Sequence, residues 1–113
     1  MTTSWEPFAE GLSVGDTGSE GGVIVRDDVH PIGARITLER SAERRSFAIT
    51  LGVYGWMVHT RFFTDEALAN AAFDAMKPAL EQILLLGSDR HRPERERSGD
   101  VERAIADFLA RFN

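Results

Sequence analysis

The stretch Ala34–Phe63 reads ARITLERSAERRSFAITLGVYGWMVHTRFF, and its pattern of apolar and polar residues decides the predicted fold. Apolar and polar residues alternate along it, which is typical of strands with one buried face. Turn-forming residues interrupt the alternation at Ser41–Arg44 and at Tyr54–Gly55. Because such short connections join antiparallel neighbours, the pattern predicts three strands in consecutive hairpins, at 34–40, 46–53 and 56–63.

A fourth strand is predicted upstream, at Val23–Asp28, joined through a turn at His30–Gly33. A two-residue turn at Tyr54–Gly55 pairs Leu51 with Val58, and a turn centred on Ala42–Glu43 pairs Leu38 with Phe47. With these pairings, all three hairpins place their apolar residues on the same face. A slip of one residue would mix the faces, so the agreement supports the register.

Two helices are predicted after the strands. Thr64 is the expected N-cap of the first, and its apolar stripe runs from Leu68 to Leu84. Pro78 predicts either a kink or a break near Met76, and Gly87 is the expected stop.

A charged connection, Ser88–Arg97, leads to the second helix, for which Ser98 is the expected cap. Its apolar stripe begins at Val101, ends at Phe112, and is expected to pack beside the first helix within the chain. The predicted fold is therefore α+β, a two-layer arrangement with a four-stranded antiparallel β-meander covered on one face by C-terminal helices.

The N-terminal residues 1–22 are predicted to be a flexible arm, with a short helix as one alternative for its first twelve residues. Gly11–Gly22 is rich in glycine and small polar residues, so it is expected to be a linker without packed structure. Residues 23–113 form the single predicted α+β domain.

Composition excludes several classes of function. The chain has 113 residues, a net charge of −5 and no cysteine, so it has no disulfide, no thiolate nucleophile and no cysteine–zinc site. The negative charge argues against general nucleic-acid binding. The sequence shows neither a signal peptide nor an apolar run long enough for a membrane span, so a cytoplasmic protein without membrane association is expected.

No catalytic residue, metal site or cofactor is predicted. No phosphate-binding glycine loop follows a strand, and no GxSxG motif occurs. The histidines, His30, His59 and His91, lack the spacing of metal ligands on one element.

One constellation follows from the predicted register. Arg26, Arg35, Thr50 and His59 fall opposite one another on the face away from the apolar one, and Arg61 falls in the next row. Such a face could bind an anion or an acidic partner, because arginine presents a planar fork of donors. The alternative is a solvated sheet face on which arginine stems cover apolar surface. Tyr54 is expected to be an exposed aromatic residue on the same side.

These residues lead to three functional hypotheses. The first is a non-catalytic binding or interaction domain that self-associates as a homodimer through remaining apolar or sheet surface. The second is a module that binds an anionic small molecule or a nucleic-acid segment through the arginine-bearing face. The third, an enzyme using His59 with Arg35 and Arg61, lacks a nearby carboxylate or nucleophile.

Overall fold

The computed structural model describes residues 4–89 and 91–112; the parts of the predicted arm and linker at residues 1–3 and 90 lie outside them, as does residue 113. The elements are β1 (Glu6–Pro7), β2 (Val23–His30), β3 (Ala34–Ser41), β4 (Ser46–Val53), β5 (Met57–Phe63), α1 (Glu66–Ser88) and α2 (Glu94–Arg111). The strands form one antiparallel sheet in the order β1-β2-β3-β4-β5. The predicted α+β class and meander are confirmed, and the two-residue strand β1 is an addition to them.

The core lies between α1 and the apolar face of β3 and β4. Ile36 pairs with Leu51 and Leu38 with Ile49, and all four side chains are buried. The predicted face is therefore correct, but the predicted partners are wrong by two residues. The reason is that the loop, 42–45, lies one residue later than the predicted turn at Ser41–Arg44. This moves the partners by two residues, and a shift of two keeps every side chain on its face.

The hairpin between β4 and β5 differs from the prediction by one residue. Its turn has three residues, Tyr54–Trp56, with Gly55 at φ +83°, a conformation that favours glycine. Leu51 therefore pairs with His59 rather than with Val58. This shift puts Val58, Thr60 and Phe62 on the open face, which is the face of the sheet away from the helices. Trp56, which the sequence places at the start of the strand 56–63, is exposed in the turn.

A β-bulge at Val25 reverses the faces of β2. The register shifts between Ile24 and Arg26, so that Arg26 lies opposite Leu38 and turns toward α1. An extra residue in one strand of a pair is the defining feature of a bulge. Consequently the residues of β2 beyond Val25 alternate in the sense opposite to the predicted one.

The polar residues that the bulge turns toward α1 find partners on that helix. Arg26 donates to Asn70 and Asp74, over 3.1 and 2.7 Å. Farther along the same two elements, Lys77 forms an ion pair with Asp28. These contacts explain why β2 carries charge on a face that packs against a helix.

Both helices begin at residues other than those predicted. The N-cap of α1 is Asp65, whose Oδ1 accepts from the Leu68 amide at 2.9 Å, and α1 continues through Pro78. Met76 and Leu80, on either side of that proline, are fully buried, and this packing holds the helix together across the missing hydrogen bond.

The second helix begins at Glu94, four residues before the expected cap Ser98. Val101, Phe108 and Phe112 are buried in the common core, and α2 packs on α1 within the chain, as predicted. No helix in the described ranges combines the length and apolar character needed to cross a membrane.

The segment 5–22 is packed on the sheet, which corrects the expectation of an unpacked linker. Trp5 is buried in the core, and β1 pairs with β2. Gly15 donates its amide to the Ile24 carbonyl at 2.8 Å, and the Ile24 amide donates to the Asp16 carbonyl at 2.9 Å. A short turn with 3-10 character, 8–11, stands in place of the suggested helix.

Candidate functional site

A buried carboxylate lies at the centre of the open face. Asp27 faces this side because the bulge in β2 places it opposite Thr37. Its Oδ1 accepts from Thr37 Oγ1 at 3.0 Å and from Arg35 Nε at 3.0 Å, and its Oδ2 accepts from Arg35 Nη2 at 2.7 Å. The Asp27 side chain has no exposed surface, so these hydrogen bonds replace its hydration.

Arg35 is fixed from two directions. Asp27 binds one edge of the guanidinium, and the Phe8 ring lies 3.5 Å from the guanidinium carbon. The hydrogen bond with Asp27 raises the pKa of Arg35 above its ordinary value. The Arg35 side chain as a whole is 34% exposed, and Arg35 lines the cleft described below.

A second buried carboxylate holds the N-terminal segment over the same face. Glu39 is 2% exposed and accepts from the backbone amides of Glu20 at 3.1 Å and Gly22 at 2.8 Å. A Cβ at Gly18 would stand 2.3 Å from a Glu39 oxygen, so glycine is needed for this close approach. The segment 17–22 is thus attached to β3 by a side chain in the strand.

Between this segment and the sheet lies a cleft of about 370 Å³. Its walls include Ser19 on the segment and Tyr54 and Val58 at the far side, and its floor includes Arg35, Thr50 and Gly52. The Thr50 hydroxyl lies 3.4 Å from Ser19 Oγ and 3.3 Å from Thr60 Oγ1. The cleft therefore combines hydroxyl groups, one guanidinium and apolar walls.

The predicted site residues divide between the two faces. Arg35, Thr50 and Tyr54 line the cleft. Arg26, His59 and Arg61 lie on the helix side, which corrects the predicted row of arginines; the bulge at Val25 and the three-residue turn before β5 are the causes.

Each displaced residue has its own surroundings on the helix side. Arg26 binds Asp74, Arg61 lies 4.7 Å above the Phe63 ring, and His59 is opposite Leu51. A catalytic group of His59 with Arg35 therefore has no geometric basis, because the sheet separates them.

Several residues that shape this face were not predicted from the sequence. Asp27, Glu39 and Phe8 were not predicted to contribute, yet each fixes a wall or the guanidinium of the cleft. The sequence offered one indication: Glu39 lies within an alternating strand, between Leu38 and Arg40. A carboxylate in such a strand needs hydrogen-bond donors if its face of the sheet is covered. Its donors are amides 17 and 19 residues away, which no local pattern indicates.

The free edge of β5 is the second notable feature. The opposite edge of the sheet is covered, because β1 and the backbone of the segment 15–17 pair with β2. Within residues 4–89 and 91–112, nothing pairs with the outer side of β5. On the open face, β5 exposes 80% of Val58 and 54% of Phe62.

Comparisons with known proteins give no match, whether to protein-family models, to curated proteins or to solved structures. Among the described residues, no group of three histidine, aspartate or glutamate side chains could hold a metal ion. The observations that bear on function are therefore the cleft and the free edge.

Proposed function

We propose that the chain is a non-catalytic interaction domain that self-associates through the free edge of β5. The observation that carries this proposal is an edge strand with exposed apolar side chains and no partner among the described residues. Edge strands offer unpaired backbone groups to other chains, and soluble proteins usually block them with lysine, proline or a bulge. The sequence of β5, MVHTRFF, contains neither lysine nor proline, and its one arginine, Arg61, lies on the helix side rather than on the open face.

The strand is suited to pairing with a second copy of itself. An antiparallel pair of β5 strands centred on Thr60 places Val58 opposite Phe62 of the second copy, and the reverse. On the helix side, the same register places His59 opposite Arg61 of the second copy. The strand contains no carboxylate and no lysine, so neither lies in the contact. A two-fold interface has to be self-complementary in this way. Tyr54 and Trp56, exposed in the turn before β5, provide the aromatic residues common at interfaces.

The alternative hypothesis, binding of a nucleic-acid segment through three arginines on one face, has less support. Only Arg35 of the three lies on the open face, and its charge is balanced by Asp27. With a net charge of −5, the chain offers little attraction to a phosphate backbone.

Sedimentation of the full chain over a range of concentrations tests self-association. We expect a dimer that Val58→Lys and Phe62→Lys both weaken by at least about tenfold, because each places a charge in an apolar contact. Leu85→Lys is the matched control, since Leu85 on α1 is 54% exposed, as Phe62 is, but lies away from the strand. A concentration-independent monomer refutes the proposal, and so does a dimer that the two β5 variants leave unchanged.

A further inference from the structure

The cleft on the open face has the size and construction of a small-molecule site. Its volume of about 370 Å³ falls within the range of roughly 300–1,000 Å³ typical of ligand pockets. All of its walls come from one chain, so it does not depend on self-association. We propose that it binds a small monocarboxylate with an apolar or aromatic body.

The guanidinium of Arg35 supplies the carboxylate-binding group. An arginine side chain has five N–H donors, and Asp27 takes two of them, on Nε and Nη2. No other residue in the described ranges accepts from the remaining three. Two of them lie along the Nη1–Nη2 edge, which can bind a second carboxylate through two parallel hydrogen bonds, and the third, on Nη1, points toward Cδ. Because Asp27 and Phe8 already fix the guanidinium, a ligand loses little entropy in ordering it.

The charge of the cleft selects one negative group rather than several. Among the residues that the structure describes, Arg35 is the only charged one that lines it, and the buried Asp27 beneath balances that charge. A polyanion would meet no further cation in the cleft and would be repelled by a chain of net charge −5. A single carboxylate needs only the donor edge of Arg35 and nearby hydroxyls such as that of Thr50.

The rest of the lining fits an apolar body. Ile24, Val58 and the Tyr54 ring form apolar parts of the walls. In the strand register, Gly52 lies between Arg35 and Val58, and its missing side chain leaves the floor open. A Cβ at Gly52 would meet the Met57 carbonyl at 3.6 Å and Val58 Cγ2 at 3.8 Å, which are ordinary contacts. A Cβ at this position is therefore accommodated by the sheet, and the further atoms of a larger side chain would extend toward the cleft that Gly52 lines.

The test is a titration of the ¹⁵N-labelled full chain with benzoate, cyclohexanecarboxylate and benzamide, followed by amide chemical shifts. We expect saturable shifts at Thr37, Thr50 and Gly52 with both carboxylates. Benzamide, which has nearly the shape of benzoate but no charge, should bind at least about tenfold more weakly, since hydrogen bonds to charged groups are the stronger kind.

Two variants probe different parts of the site. Gly52→Val should abolish the shifts by filling the floor, and Arg35→Lys should weaken benzoate binding about tenfold, because lysine cannot reproduce the planar fork. Arg61→Lys, on the other face, is the control and should change nothing. If one variant does not fold, the other still decides.

The inference is overturned by any of four results. These are the absence of saturable shifts with either carboxylate, equal affinity for benzoate and benzamide, benzoate binding that survives Gly52→Val, and benzoate affinity that Arg35→Lys leaves unchanged. A wild-type chain that sediments as a monomer keeps every wall of the cleft, so this titration can still succeed and the two proposals fail separately. The Val58→Lys variant is left out of the titration because Val58 lines the cleft.

Discussion

The pair of Asp27 and Arg35 predicts an unequal response to removal of its two members. Arg35→Met leaves a carboxylate whose side chain has no exposed surface and whose remaining side-chain hydrogen bond comes from Thr37. Removing one partner of a buried pair costs about 3–5 kcal/mol, because the other charge stays buried and uncompensated. The free energy of unfolding should therefore fall by an amount in that range.

The reverse change should cost less. Asp27→Asn leaves an arginine whose side chain is 34% exposed and thus better hydrated than the carboxylate, and we expect a loss of about 1–3 kcal/mol. The double variant should lose less than the sum of the single variants, by about 0.5–3 kcal/mol, as contacting residues do. Arg61→Met is the control: it removes a cation–π contact with Phe63, worth roughly 0.5–1 kcal/mol at an exposed site.

The measurement is urea unfolding followed by circular dichroism. The dependence of the free energy of unfolding on urea concentration is compared among the four variants, because an unchanged slope means that the same surface is exposed on unfolding. A loss below about 1 kcal/mol for Arg35→Met would contradict the reasoning, since it would mean that the Asp27 carboxylate is well solvated without the arginine. Additivity of the two single changes within about 0.3–0.5 kcal/mol would contradict the direct contact.

Three further outcomes are expected. Ile49→Ala, at a fully buried position, should lower the free energy of unfolding by about 2–5 kcal/mol, and a loss near zero in denaturant melts would count against its place in the core. Glu39→Gln should speed amide hydrogen exchange at Glu20 and Gly22, whose amides it binds, because a neutral amide oxygen accepts more weakly than a carboxylate oxygen and the new NH2 group would replace the oxygen that accepts from Glu20 at 3.3 Å; unchanged exchange would mean that the glutamate does not hold the segment. The hydrogen bond from Arg92 and the weaker influence of Arg103 hold the pKa of Asp100 below its ordinary value. The Asp100 carboxylate therefore stabilises the folded chain above about pH 3.9, and this contribution to the free energy of unfolding is lost as pH falls through the folded-state pKa. Asp100→Asn should abolish this contribution to the pH dependence of the free energy of unfolding, measured by urea unfolding at several acidic pH values. The same pH profile in the variant as in the wild type would exclude the Asp100 carboxylate as its source.

The sequence predicts the faces of β3 and β4 because only one side of each strand can be apolar. Ile36, Leu38, Ile49 and Leu51 have no competing set of large apolar residues between them, so even a wrong turn leaves them in the core. The cross-strand partners of these residues are less well determined, because a shift of two residues leaves every apolar side chain on the same face.

The face of β5 could not be predicted in this way. Val58 and Phe62 are apolar on one side, and Met57 and Phe63 are apolar on the other. Alternation therefore supports either register, and the turn decides: Gly55 takes a left-handed conformation in a three-residue turn, which moves the strand by one residue. The misplacement of His59 and Arg61 follows directly from that shift.

The reversal in β2 depends on contacts that are distant in the sequence. Arg26 faces the helix layer because α1 offers it Asn70 and Asp74, 44 and 48 residues away. Asp27 then faces the open side, where Arg35 and Thr37 bind it. Local alternation carries no information on such partners, so a bulge that depends on them is not readable from the strand itself.

The bulge also determines what the open face can bind. Without it, Arg26 and Arg35 would share that face and leave two arginine charges available to an anion. With it, Arg26 is held by Asp74, and Asp27 lies beneath Arg35. A face that the sequence suggests as a broad cationic surface is thereby reduced to one fixed donor edge beside an apolar strand. Such a surface favours ligands with a single carboxylate and partners with apolar side chains, because both require little charge and a rigid contact.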